Sequence, residues 1–297
     1  MTENLRGALL MTVSMGAFAV EDAFIKMISA TLPTGQIIMV IGAGGALILL
    51  LWQLLRGQKL WTPAYLDGLV LLRSSFEVLG TLFFVNALAT IPLTTASAVI
   101  QATPLVVAMG AAMFLGQDVG WRRWLAIGIG FIGVLIILRP GTDSFTPLTL
   151  LAVGGMLGLA ARDITTRAVT VDISGVQLSI HALVCLIFAG WALMPLQGGA
   201  FVTPNLTVAL LLIGCVAIGL IAYLLIIAAT RIGNAAVISS FRYARMPFAI
   251  LVAGITFAEV PDLPTIIGAT IVISAGIFTL WRESRRLQPF PAEEAKV

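Results

Sequence analysis

Charged side chains recur inside runs of residues that are otherwise almost wholly apolar, and their spacing is that of a helix face. Asp22 and Lys26 stand four residues apart, as do Arg73 with Glu77 and Asp163 with Arg167, while Arg242 and Arg245 stand three apart. Residues at those separations share one side of a helix, so the opposite charges can pair. A charge at the centre of a bilayer costs at least about 2.5–3.5 kcal/mol on insertion scales, so each of these groups has to face a bundle interior or water and find a partner. The chemistry within reach is ion pairing, capture of a carboxylate or an amine, and proton exchange.

Hydrolytic, metal and nucleotide chemistry have much less to stand on. The chain has no HExxH, paired-cysteine or Ser-His-Asp arrangement, and His181 is its only histidine, a poor start for a metal site. His181 reads as a helix-packing group, with proton carriage as the other role open to it. Cys185 and Cys215 both fall in apolar segments, where a small buried side chain is the expected use. The string Gly128, Gly130, Gly133 matches GxGxxG, but no strand precedes it, so helix packing by small residues is the reading. There is no Walker A sequence. The expectation is therefore no enzyme, no cofactor and no metal.

Those charges need apolar elements to carry them, and the composition supplies them. Of 297 residues 59% are hydrophobic and 10% charged, with a mean hydropathy of +1.05; soluble domains are roughly a quarter charged. A transmembrane helix takes about 20 apolar residues. Apolar runs broken by Pro, Gly and charge predict ten spans, at 6–30, 34–55, 67–89, 93–115, 121–138, 147–170, 174–195, 206–229, 234–257 and 263–281. The runs are continuous rather than alternating, so the fold class is an all-α integral membrane protein, not a barrel. The net charge of +3 comes from basic residues at span ends, which excludes nucleic acid as the expected partner.

Cytoplasmic termini would place Arg6, Arg56, Lys59, Arg122, Arg123, Arg167, Arg231, Arg282, Arg285, Arg286 and Lys296 on the inner side and Arg139 alone outside. That asymmetry predicts both termini in the cytoplasm of a bacterial inner membrane. The first span looks like a signal sequence because Arg6 precedes an apolar stretch. Its counterpart in the second half is internal, which argues for its retention.

The counterpart comes from an internal repeat. An offset of 141 places Met15 on Met156, Ala19 on Ala160, Asp22 on Asp163, Lys26 on Arg167, Gln36 on Gln177 and Ile91 on Ile232; at 143, Pro104 meets Pro247, Phe114 meets Phe257 and Gly133 meets Gly276. The implied domains are 1–140 and 141–287, five spans each, with a tail at 288–297. Five is odd, so the second copy is inverted, an arrangement suited to alternating access.

The two repeats, each with an apolar run closing on a Pro-bearing fourth helix (97–114 and 239–257) and a Gly-rich fifth, resemble the EamA domains of the drug/metabolite transporter superfamily. Within it the chain is most similar to YddG-type bacterial exporters of amino acids. Many members carry an acidic residue after the fourth helix of each repeat; Glu259 fits the second copy, whereas the first has Gln117 and Asp118. The resemblance implies a central cavity lined by the first, third and fourth helices of each repeat, with the fifth peripheral. It also implies an exporter of amino acids, aromatic or other neutral ones included, and related small metabolites. A carrier of another metabolite or drug is the alternative, a channel or a membrane enzyme a more remote one. The partners expected are a small-molecule substrate and membrane lipids, with a monomer as the default state.

Depth along the spans then suggests roles. At about 1.5 Å per residue, Asp22 and Asp163 each lie roughly 24 Å from the start of their helices, so Asp22 with Lys26 and Asp163 with Arg167 are candidate gates at opposite mouths, or else pairs that snorkel to the interface. Glu77 lies roughly 15 Å deep and Arg245 about 17 Å deep. With the mouth pairs set aside, four cations (Arg73, Arg162, Arg242, Arg245) face two anions (Glu21, Glu77), and a substrate carboxylate would offset part of that excess. Arg242 or Arg245 is a candidate carboxylate anchor, with Glu77 either steadying a guanidinium or receiving an amine; a purely structural Arg-Glu pair is the other reading. Asn86, Gln101, Tyr223 and Tyr243 are further cavity candidates or inter-helix hydrogen bonds. Pro104 and Pro247 are expected to kink their helices.

Overall fold

The computed structural model describes residues 3–116, 120–143, 145–230, 232 and 235–286. The described residues are helical throughout: α1 (Glu3–Ser29), α2 (Thr34–Leu55), α3 (Gly68–Thr90), α4 (Leu93–Ile100), α5 (Thr103–Phe114), α6 (Trp121–Leu138), α7 (Thr149–Ala168), α8 (Gly175–Leu193), α9 (Leu206–Thr230), α10 (Ala235–Ser240), α11 (Arg245–Phe257) and α12 (Leu263–Arg286). Single 3-10 turns at Pro63–Leu66, Met194–Gln197 and Phe241–Ala244 join or extend them.

Eight helical stretches among these residues are long and apolar enough to cross a membrane. The other two expected spans fall short for physical reasons. One, α7, carries Arg162, Asp163 and Arg167 within 20 residues. The other, 234–257, is cut into α10, a 3-10 turn and α11, and carries Arg242 and Arg245. Gln117, Asp118, Arg231 and the tail 288–297 lie outside the described residues.

Both expected kinks are outright breaks. Pro104 stands at the first turn of α5, leaving α4 to end at Ile100; Pro247 follows the 3-10 turn that opens α11. A proline has no N–H to give the carbonyl four residues earlier, so Ile100 and Tyr243 each lose a helical donor. Side chains replace it: Thr103 Oγ1 donates to the Ile100 carbonyl at 2.6 Å, and Gln101 Nε2 donates to the Tyr243 carbonyl at 3.0 Å. The second bond ties one broken helix to the other.

Helices pack mainly across the two halves. The most extensive contacts join α3 to α7, α1 to α9, α6 to α12 and α2 to α8. Exchanging α1 with α7, α2 with α8, α3 with α9 and α6 with α12 leaves that set of pairs unchanged. Where lipid gives no hydrophobic drive between helices, close approach by small residues supplies the contact. A Cβ on Gly158 would lie 2.6 Å from the Cα of Gly80 between α3 and α7, and one on Gly190 would lie 2.5 Å from the carbonyl oxygen of Gly35 between α8 and α2. Between α12 and α6, a Cβ on Gly268 would lie 2.5 Å from the carbonyl oxygen of Gly133. The GxGxxG string is thus seated on a helix pair.

At one end of that pair Arg139, in the left-handed region at φ 51°, ends α6 and its guanidinium binds Asp262. Asp262 Oδ1 also accepts from the Thr265 amide at 3.1 Å, capping α12. Slight burial pushes the Asp262 carboxyl up, but the hydrogen bonds from Arg139 and Thr265 outweigh it and hold the group below the usual carboxylate range.

Two predictions follow from this packing. Gly158→Ala should force α3 and α7 apart and cost about 1–3 kcal/mol, the usual range for overpacking. Gly128→Ala, with nothing within 4 Å of its Cβ, should be neutral or slightly stabilising; thermal unfolding of both in detergent checks the contrast. Because the folded Asp262 carboxyl titrates below its unfolded value, its contribution should be present above about pH 4 and vanish as acid protonates it. Melting curves of wild type and Asp262→Asn should therefore differ near neutrality and converge toward about pH 2.

Candidate functional site

A cavity of about 230 Å³ lies between the halves, lined by α1, α2, α3, α7, α8 and α9. Its polar lining consists of Glu21, Arg73, Glu77, Arg162, Ser179 and Tyr223, set among apolar side chains such as Phe18, Ile41 and Leu186. Three positions line it in both halves at the 141-residue offset: Glu21 with Arg162, Ile41 with Ala182, and Gly45 with Leu186. A second, larger groove of about 480 Å³ between α6 and α12 is apolar apart from Arg122, Thr270 and Ser274. It has none of the paired charge that a selective polar site needs.

An ion-pair chain forms one wall of the central cavity. Arg73 Nη2 lies 3.0 Å from Glu77 Oε2, Arg162 Nη1 donates to Glu77 Oε1 at 2.8 Å, and Arg162 Nη2 lies 2.7 Å from Asp163 Oδ1. Arg73 further donates to the Leu178 carbonyl and to Thr166 Oγ1. Each guanidinium therefore has its donors directed onto protein acceptors, the arrangement that makes a buried charge tolerable. Ser179 and Tyr223 hydroxyls share a hydrogen bond on the neighbouring wall.

Beside the cavity, Arg245 Nη2 meets both oxygens of Asp22 at 2.8 and 2.6 Å, and its Nε donates to Oδ2 at 3.2 Å. The guanidinium lies between the rings of Phe18 and Phe84, 5.4 and 5.5 Å from their centroids, positions that favour a cation. Asp22 is 2% exposed, so this is a buried clamp between α1 and the start of α11.

The end of the bundle where α1 and α3 finish and α4 begins is laced shut. Lys26 Nζ donates to the Ile91 carbonyl at 2.6 Å and lies 3.6 Å from Glu259 Oε1, while Glu259 Oε2 accepts from the Thr94 amide. Nearby, Thr34 Oγ1 donates to Asn86 Oδ1 at 2.8 Å and accepts from Gln197 Nε2 at 2.6 Å, and Gln36 exchanges two hydrogen bonds with the backbone of Val202.

Several expectations change against this geometry. Arg73 with Glu77 pairs as the spacing implies, and both line the cavity with Tyr223. Asp22 with Lys26 and Asp163 with Arg167 do not pair with each other: Asp22 takes Arg245 and Lys26 takes Glu259 from other parts of the chain, and Asp163 takes the residue beside it on α7, Arg162. Asn86, Gln101, Arg242, Tyr243 and Arg245 are absent from the lining. Asn86 and Gln101 make inter-helix bonds, and the Tyr243 hydroxyl lies against Gly276. Arg242 has no ion pair among the described residues, the carboxylate acting on it most being Asp163.

The second and seventh helices, α2 and α8, line the cavity in place of the fourth and ninth. The broken fourth and ninth helices are instead closed on each other through Gln101 and Tyr243. His181 holds Ser74 Oγ at 2.7 Å and stacks on Tyr65 at 5.3 Å, a packing role away from the cavity. Glu21 and Arg162 escaped the sequence-based selection of cavity candidates, although the 141 offset, which superposes them, was a signal that could have found them.

Comparison with known proteins agrees with this geometry. Residues 5–139 match the EamA-like transporter family. The chain is 30% identical over 187 residues to a riboflavin transporter of Vibrio cholerae, covering 61% of this chain and 62% of that one. It is 28% identical over 206 residues to the pseudopaline exporter CntI of Pseudomonas aeruginosa, covering 67% and 68%, and 27% identical over 135 residues to an S-adenosylmethionine uptake transporter of Rickettsia felis, covering 46% and 45%. The riboflavin and S-adenosylmethionine transporters are thus matched over less than two thirds of their length. One solved crystal structure shares the fold at a TM-score of 0.64 and 16% identity, over 95% of this chain and 99% of that one. Residues 5–139, somewhat less than half of the chain, are thus similar to the EamA-like transporter family, and the named transporters share that similarity over part of their length.

Proposed function

We propose that this protein is a multi-pass carrier of the bacterial inner membrane, with ten spans and both termini cytoplasmic, that exports amino acids and related small metabolites by alternating access. The halves 1–140 and 141–287 act as inverted repeats rocking about the central cavity, and the protein works as a monomer. The observation that carries this reading is the cavity itself: charged, enclosed by helices of both halves, and laced shut at one end. The Lys26 and Glu259 ties with the Asp22–Arg245 clamp form the closed outer gate. Asp163 and Arg167 belong to the opposite mouth, and Arg242 serves as a carboxylate anchor in the conformation where Arg245 has left Asp22.

A cavity of about 230 Å³ is smaller than the roughly 300–1,000 Å³ of sites for drug-sized ligands, which supports cargo of amino-acid size. A carrier of another metabolite is supported equally by the relatives' names, which include riboflavin, S-adenosylmethionine and pseudopaline. Saturable flux with counter-transport separates either carrier from a channel.

Uptake of a radiolabelled amino-acid panel into liposomes holding the purified protein should be saturable and fall at least about ten-fold in Glu77→Gln. Removing the Glu77 charge leaves Arg73 without a carboxylate and Arg162 on Asp163 alone, and breaking one partner of a buried ion pair costs about 3–5 kcal/mol. Folded protein that moves no amino acid would leave the other-metabolite reading. In a Cys185→Ser background, maleimide labelling of the fully buried Cys215 should be several-fold faster in Lys26→Met if the far-end ties hold the gate. An unchanged rate would remove Lys26 from that role.

A further inference from the structure

The sequence places an excess of positive charge in the spans, which suggests an anionic cargo. Pairing in the structure removes that excess from the cavity. Asp22 and Asp163 neutralise Arg245 and Arg162 rather than the lysine and arginine one turn along their own helices. Arg73 and Arg162, the two cations lining the cavity, are both held by Glu77, and Arg162 also by Asp163. Arg242 does not line the cavity.

Among the described residues Glu21 is the one cavity-lining charge with neither an ion pair nor a hydrogen bond. The charges acting on it are those of its neighbour Asp22 and of Arg245, and Arg245 is already committed to Asp22 through three hydrogen bonds. Its carboxyl group lies flat on α9 against Gly219, where a Cβ would overlap Oε1 and lie 2.6 Å from Cδ. Phe18, one turn back on α1, and Tyr223, one turn on from Gly219, present aromatic rings to the same space. A carboxylate in a lining that also holds aromatic side chains suits an organic cation, because rings and a carboxylate attract the same charge.

We propose that Glu21, seated on Gly219, is the residue of this cavity that recognises a positively charged nitrogen on the cargo, so that the cargo is a cation or a zwitterion rather than a simple anion. The proposal rests on the carrier reading above and narrows its substrate class. Glu21 also occupies the repeat position of Arg162, so the cavity presents a free carboxylate from one half and a saturated guanidinium from the other. The cargo's ammonium group supplies the counter-charge that the protein withholds from Glu21.

The test is the thermal stabilisation of the purified full-length protein by free amino acids and phenylethylamine, each compared with its N-acetylated counterpart, which has the same body without the cation. At least one free amine should raise the melting temperature where its acetylated form does not, with an apparent affinity at least ten-fold weaker in Glu21→Gln. Gly219→Ala, which displaces the carboxyl without removing its charge, should weaken the same ligand, and melting temperatures without ligand report whether either variant is folded. Equal stabilisation by amines and their acetylated forms, no stabilisation by any amine, or undiminished affinity in a folded Glu21→Gln would each overturn the proposal. Liposome uptake of an uncharged or anionic compound by the wild type would keep the carrier and sink only the assignment of Glu21.

Discussion

Leaving a charge alone where water is scarce is costly, and the pairing this cost favours organises the molecule around the one cavity-lining charge left unpaired, Glu21. Six of the charged residues in or beside the spans close into two clusters, Arg73–Glu77–Arg162–Asp163 and Asp22–Arg245. Each link crosses from one helix to another, or holds a side chain that does. The cavity exists because these bonds hold α3, α7, α1 and α11 at fixed distances around it, while the glycine contacts bring α3 onto α7 and α2 onto α8. A pair of this kind adds little net stability over an apolar replacement but is costly to break halfway. Its contribution is therefore to specify which helices stand next to the cavity.

The same constraint applies to the backbone. The two prolines sacrifice helical hydrogen bonds in the bundle interior, and the chain answers with Thr103 and Gln101. Gln101 is the more consequential answer, because it reaches from the break in one half to the break in the other. It explains why the fourth and ninth helices are drawn together and why α2 and α8 take their place in the lining.

Much of this was legible in the sequence. Eight of the ten expected spans, the disruption at the two prolines and the Arg73–Glu77 pair are local properties, set by apolar run length, the missing proline N–H and helical spacing. The partners of Asp22 and Lys26 were not legible, because i,i+4 spacing reports only what shares a helix, whereas Arg245 and Glu259 arrive from more than 200 residues away; Asp163 takes its sequence neighbour Arg162, which i,i+4 spacing passes over. The expected excess of positive charge came from setting Asp22 and Asp163 aside with Lys26 and Arg167, whereas they neutralise Arg245 and Arg162. Glu21 and Arg162 were visible in the superposed repeats, but their significance depended on which of them would find a partner.

The 141-residue offset that sets Glu21 on Arg162 bears on why both halves stand on one polypeptide. Two copies of the first half, paired as an antiparallel homodimer, would set two Glu21 carboxylates around one cavity with no arginine at the equivalent position. That assembly would carry like charges facing each other in a space with little water to screen them. Arginine at one of the two positions removes that repulsion. Because the two positions differ, the halves are not interchangeable at the cavity, and carrying both on one polypeptide ensures that Glu21 always meets Arg162.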